Sequence, residues 1–213
     1  RKISVLPNGI DLRRFERPAN APIRGGLGIP DDAPVIGTVG RLSEVKRQDV
    51  LLHAFAKVRE TSSAAHLLLV GDGPLLSDLR QLAQKLEIAP FVHFAGYQPE
   101  PEKFLAIMDI FALTSRSEGM PLSVLEAWAA GLPVVASAVG GLPEMIDSAE
   151  AGVLFPPGDV DALVSNLTSL LLDEPARKMM GERGRSVAHE LYSASRMAAE
   201  YHRHYTLLHT QTP

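Results

Sequence analysis

The chain has 213 residues, 46% of them hydrophobic, with 25 acidic against 21 basic side chains and a formal net charge of −4. That composition supplies the core of one large domain or two small ones, and the mild acidity argues against a surface built for nucleic acid. There is no cysteine, which rules out a disulfide framework and a thiolate zinc site and fits a reducing, cytoplasmic setting.

The N-terminal residues Arg1-Lys2-Ile3 contain no methionine and open no signal-peptide pattern, so the chain reads as a piece of a longer protein. Short apolar runs then alternate with longer amphipathic ones. Strands are predicted over residues 3–6, Val35–Val39, His66–Val70, 92–94, 110–114, Val134–Ser137 and Gly152–Phe155. Most are rich in Val, Leu, Ile or Phe without clean alternation, as in strands buried on both faces. Residues 19–34, with three glycines and three prolines, read as an irregular connection holding one short helical turn.

Helices are predicted over 47–60, 75–86, 100–108, 121–130, 159–172, 175–190 and 195–208. Pro121 suits a first helical position, and the acids at 159 and 161 suit a helix N-terminus. The β-α-β-α order implies an α/β fold with a parallel, Rossmann-like sheet and helices on both faces, in a single domain over 1–213. The most apolar segment, residues 124–142, carries Glu126, Gly131, Pro133, Gly140 and Gly141. It is no transmembrane helix, which needs about 20 mostly apolar residues.

Ligands of open α/β sheets bind at the carboxyl ends of the strands. Three such ends carry chemistry. Gly40 to Asp49 follows one strand and opens a helix, so Arg41 and Lys46 flank a loop able to take a diphosphate, Arg41 by a forked bond and Lys46 by a point charge. The same residues also fit a solvated turn with local ion pairs. In the second, Glu118 and Glu126 stand with seven residues between them, around a helix start at which Leu122 and Ser123 offer N–H groups to a phosphate. The pair fits a glycosidase dyad, two acceptors for sugar or ribose hydroxyls, or, for Glu126, a solvent-facing helix residue. Leu125, Ala127, Trp128 and Ala129 leave that helix little polar face.

The third, Gly71-Asp72-Gly73-Pro74, is a tight turn rather than a dinucleotide fingerprint, because Leu76 stands where the third glycine belongs. Gly140-Gly141 either permits close backbone approach or simply closes a turn. The histidines form no metal-ligand spacing: His202 and His204 point to different sides of a helix, and His93 reads as packed or hydrogen-bonded within a strand. Ser115 and Ser117 have no histidine nearby in sequence, so a serine nucleophile has little support.

Six of these stretches, in order, resemble the donor-nucleotide half of a retaining glycosyltransferase of the GT-B type, in the large family that holds sucrose synthases and bacterial mannosyl- and glucosyltransferases. They are Pro7-Asn8-Gly9-Ile10-Asp11 with Phe15, Gly40-Arg41 with Lys46-Arg47-Gln48-Asp49, residues 69–74, residues 92–97, the paired glutamates, and residues 140–144. The resemblance implies that Arg41 and Lys46 bind the donor diphosphate and that Glu118 contacts the transferred sugar. It implies further that Gly40, Gly119, Met120, Leu122 and Ser123 bring backbone close to sugar and phosphate, that Glu126 binds ribose, and that Gly96 and Tyr97 lie by the base.

The donor is then a UDP- or GDP-sugar, with no cofactor and no metal. Such enzymes carry an acceptor-binding N-terminal domain, which is missing here. The helix near 195–208 is expected to pack toward it, and membrane contact is expected only through that half. A nucleotide-sugar epimerase, a phosphorylase and a silent nucleotide-sugar-binding module are the alternative readings. Two departures stand out: Arg47 replaces a frequent glycine, and Pro121 removes an N–H donor.

Overall fold

The computed structural model describes residues 5–16 and 22–210. Six strands form one sheet: β1 (Val35–Val39), β2 (His66–Val70), β3 (Val92–Gly96), β4 (Ile110–Leu113), β5 (Val134–Ser137) and β6 (Gly152–Phe155). Their order is β3-β2-β1-β4-β5-β6, and every pairing is parallel. The helices between them are α1 (Pro22–Leu27), α2 (Gln48–Thr61), α3 (Leu76–Lys85), α4 (Glu102–Leu105), α5 (Leu122–Ala129) and α6 (Leu142–Ala149). After the sheet come α7 (Val160–Leu172), α8 (Glu174–Leu191) and α9 (Ala194–Thr210). This is the Rossmann-like α/β architecture that the alternating pattern implies.

The apolar runs have a direct explanation. Successive residues of one strand feed opposite cores. Val35, Leu68, Phe111, Val134 and Ala136 join one cluster with α5, α6 and Ala188 of α8. Ile36, Leu67, Leu69, Ile110, Ala112 and Val135 join the other with α2, α3 and α7. Both faces are dry, so the polar half of a strand pattern is lost. Trp128 of α5 packs directly on α8, where a Cβ on Gly184 would lie 2.5 Å from its ring, while its indole N–H donates to the Ala151 carbonyl ahead of β6 at 3.1 Å. Asp159 and Asp173 cap α7 and α8 by accepting from Ala162 and Ala176, each at 2.9 Å.

Four local expectations change. The strand predicted over 3–6 falls partly outside the described residues, and Val5 and Leu6 carry no strand. The segment is instead tied at Ile10, which bridges Ser193 ahead of α9, with Ile10 N–H to Tyr192 O and Ala194 N–H to Ile10 O both at 2.8 Å. The helix predicted over 100–108 shrinks to the four residues of α4, because the chain turns at once into β4, where Asp109 N–H meets Val35 O at 2.8 Å. Pro121 stands just outside α5, extended at φ −71° and ψ 121°, so it is the cap and Leu122 the first helical residue. The 19–34 connection contains α1, a helix of six residues.

Candidate functional site

In this strand order the chain reverses direction of winding between β1 and β4, and in open α/β sheets the crevice outside such a reversal is where ligands bind. The β1 loop carries Gly40, Arg41 and Lys46; the β4 loop carries Thr114, Ser115 and Glu118. Across the crevice Lys46 Nζ meets Glu118 Oε1 at 2.6 Å, with the two side chains only 23% and 9% exposed. Ser115 Oγ donates to the same oxygen at 2.5 Å. Two stretches 72 residues apart in sequence are thereby joined by one carboxylate.

The loops themselves are held by backbone. Thr114 Oγ1 lies 3.0 Å from Lys46 O and 2.8 Å from Arg47 O, and Arg116 N–H donates to Val45 O at 2.8 Å. Ser137 at the end of β5 donates its hydroxyl to Ser115 O at 2.5 Å. Gln48 is buried and donates to Arg41 O at 3.0 Å. Gly40 N–H donates to Val70 O and Gly71 N–H to Gly96 O, so neighbouring strand ends are stitched in order. Two glycines are required here. A Cβ on Gly71 would stand 2.0 Å from Gly40 O, and one on Gly140 would stand 1.7 Å from Glu118 O, and both have positive φ.

Each predicted residue now has a place. Arg41 is exposed, and its guanidinium has no partner among the described residues. Arg47 is not available in the same way: it makes a forked pair with Asp49, with Nε at 3.0 Å from Oδ1 and Nη2 at 3.0 Å from Oδ2. Leu122 is exposed and Ser123 partly so, at the first turn of α5, beside Gly119 and Met120. Gly96 adopts φ +69°, and its carbonyl is taken by Gly71; Tyr97 beyond it is 76% exposed.

Glu126 lies apart from the Lys46–Glu118 pair, on α5. Burial pushes its carboxyl above the usual carboxylate range; the nearby charge of Arg14 opposes that shift, and Glu102 adds to it. Arg14 and Glu102 are themselves paired at 2.5 Å. Sequence reading missed this trio because its members come from a turn before α1, from α4 and from α5. It also missed Ser115 and Thr114 as loop ties. The only signal was a serine three residues before Glu118 at a strand exit. The Asn8 N–H lies 3.3 Å from Met120 Sδ, which brings the Pro7–Asp11 motif to the same end of the sheet.

Among the described residues no group of three or more His, Asp or Glu is placed to hold a metal ion, and no helix is long and apolar enough to cross a membrane.

Comparison with known proteins gives this geometry a lineage. Residues 20–187 match the family model described as glycosyl transferases group 1. The chain is 33% identical over 199 residues to N-acetyl-alpha-D-glucosaminyl L-malate synthase of Bacillus anthracis, covering 93% of the chain and 52% of that protein. It is 39% identical over 196 residues to a GDP-mannose-dependent monoacylated alpha-(1-6)-phosphatidylinositol monomannoside mannosyltransferase of Corynebacterium glutamicum, covering 85% and 50%. Sucrose-phosphate synthase of Thermosynechococcus elongatus superposes with a TM-score of 0.85 at 29% identity, covering 97% of this chain and 53% of the other. The chain thus spans about half the length of the curated relatives it matches. With the parallel sheet and the crevice at its centre, these matches establish that the chain belongs to the group 1 glycosyltransferases.

Proposed function

We propose that the chain is the C-terminal, donor-binding half of a retaining GT-B glycosyltransferase that moves a sugar from a nucleotide-sugar to an acceptor in glycoconjugate synthesis. The observation that carries the reading is the Lys46–Glu118 pair across the β1–β4 crevice, flanked by the unpaired Arg41. A cation that binds diphosphate and a carboxylate that binds sugar hydroxyls must sit a few ångströms apart, because the anomeric carbon joins the two groups. The crevice brings that pair together.

In this reading Arg41 and Lys46 hold the diphosphate and offset the charge that grows on the leaving group. Glu118 accepts from hydroxyls of the transferred sugar. Gly40, Gly119, Met120, Leu122 and Ser123 supply backbone at close range, with the first-turn N–H groups of α5 favouring an anion. Glu126 takes the ribose, and Gly96 and Tyr97 flank the base. The acceptor belongs to a missing N-terminal domain, toward which α9 packs with Tyr201 and Tyr205 exposed on it. One relative is named for GDP-mannose, and both UDP and GDP are kept as donor bases. The chain alone is expected to bind donor and to turn over slowly or not at all.

Calorimetric titration with UDP, GDP and their hexose conjugates tests this. At least one nucleotide is expected to bind. Absence of binding to every member of the panel overturns the reading.

A further inference from the structure

Glu118 receives two donors on one oxygen. Lys46 Nζ and Ser115 Oγ both reach Oε1, at 2.6 and 2.5 Å, while Oε2 has no partner among the described residues. The two donors differ in mobility. Lys46 is a point charge on a stem of four rotatable bonds, and its side chain is partly exposed. Ser115 is fully buried, has one side-chain torsion, and is anchored through its carbonyl by Ser137 from the next strand.

We propose that Ser115 is a positioning residue for Glu118, and that the two donors play separate parts. Lys46 exchanges the carboxylate for the donor diphosphate, while Ser115 keeps it aimed at the sugar. The inference rests on the donor-binding reading above. In the free protein Lys46 and Glu118 neutralise each other. The donor's diphosphate draws Lys46 away as its sugar hydroxyls arrive at Glu118, whereas a nucleoside diphosphate without the sugar leaves the Lys46–Glu118 pair in place. A largely buried carboxylate that loses its cation is unfavourable unless hydrogen bonds remain. The Ser115 hydroxyl provides one, on an oxygen it already occupies, and the sugar hydroxyls provide the rest. The backbone of Lys46 stays pinned by Thr114 throughout, so only its stem swings.

The signature is a split between ligands with and without the sugar. In Ser115→Ala, UDP and GDP are expected to bind within about twofold of the parent, while the matching nucleotide-sugar weakens by about tenfold, the loss of one hydrogen bond to a charged group. Equal weakening of both ligands, or of neither, overturns the proposal. A second measurement needs no ligand. Urea unfolding of the parent, Ser115→Ala, Lys46→Met and the double variant closes a cycle. The serine is expected to matter at least about fivefold more to the folding equilibrium once Lys46 is gone, as for coupled neighbours. Additive effects overturn the holding role. If the parent binds no nucleotide, the sugar-aiming half falls with the donor reading, and the cycle alone decides whether Ser115 holds Glu118.

Discussion

At the amino end of the sheet, Arg24 donates to the carbonyls of Pro30, Asp31, Ala33 and Ile107 at 2.7–3.2 Å. Arg59 donates to Ala65 O at 2.7 Å and lies 3.1 Å from the centre of the Phe91 ring. His66 and His93 share a contact of 2.8 Å and stack. Every one of these groups is engaged inside the fold. At the carboxyl end Arg41 is left open and Lys46 is held by a single side chain. A polar group consumed by backbone carbonyls serves the fold; one left open or exchangeable is available to a ligand. The two ends therefore differ less in their charges than in what those charges touch.

The sharpest way to break the contrast is a methyl group at the carboxyl end. Gly140→Ala forces a Cβ to 1.7 Å from Glu118 O at φ +56°. It is expected to cost at least about 3 kcal/mol in urea denaturation, or to displace the Glu118 loop. Gly25→Ala and Gly26→Ala, in α1 with open space around the new carbon, are expected to be neutral or stabilising by up to about 1 kcal/mol. Similar costs at both sites would remove the distinction.

Next in size is an exchange of roles between two arginines. Arg41→Ala is expected to weaken nucleoside diphosphate binding by about tenfold or more and leave stability within about 0.5 kcal/mol. Arg24→Ala is expected to do the reverse, with a loss of about 1–3 kcal/mol and unchanged affinity. Calorimetry and unfolding on the same two variants decide it.

The two ends also differ in pH response. Burial lowers the pKa of His66, helped by the charges of Arg59 and Arg24; burial and His66 lower that of His93, against a backbone hydrogen bond at Leu27. The unfolded chain therefore binds these protons more tightly. Stability is at its full value above about pH 6.5, the unperturbed histidine value, and declines as pH falls through that range. His66→Gln with His93→Gln is expected to flatten this slope, read from unfolding midpoints between about pH 5 and 8.

Glu126 has the opposite sign. Its folded pKa is raised, so the folded protein holds the proton more tightly, and stability falls as pH rises through the carboxylate range. Glu126→Gln is expected to raise the unfolding midpoint near neutral pH by a small amount, with the gain disappearing at acid pH. A midpoint that drops at neutral pH would instead mean that Arg14 contributes more to Glu126 than burial costs.

Much of this is legible in the chain alone. Val35–Val39, His66–Val70, Val134–Ser137 and Gly152–Phe155 appear as strands at the bounds their apolar runs predict. The first three are central strands covered on both faces, and Gly152–Phe155 is a half-buried edge strand whose apolar run still marks its ends. Arg41, Lys46, Glu118 and Glu126 are identifiable because each lies in a short motif beside a strand or helix start. The Pro121 and α4 bounds escape such a reading because a proline fits both a cap and a first turn, and an amphipathic run does not record how soon the next strand must begin.

Sequence by itself determined the parallel α/β sheet and which loops carry charge, since periodicity and motif spacing are local properties. Only the tertiary structure decided that Lys46 faces Glu118, that Ser115 shares that carboxylate's oxygen, and that Arg47 is bound to Asp49 while Arg41 stays open. Those outcomes depend on the order of the strands, which places β1 beside β4 and so brings together residues 72 apart. No local pattern encodes that adjacency; the burial of both sheet faces does.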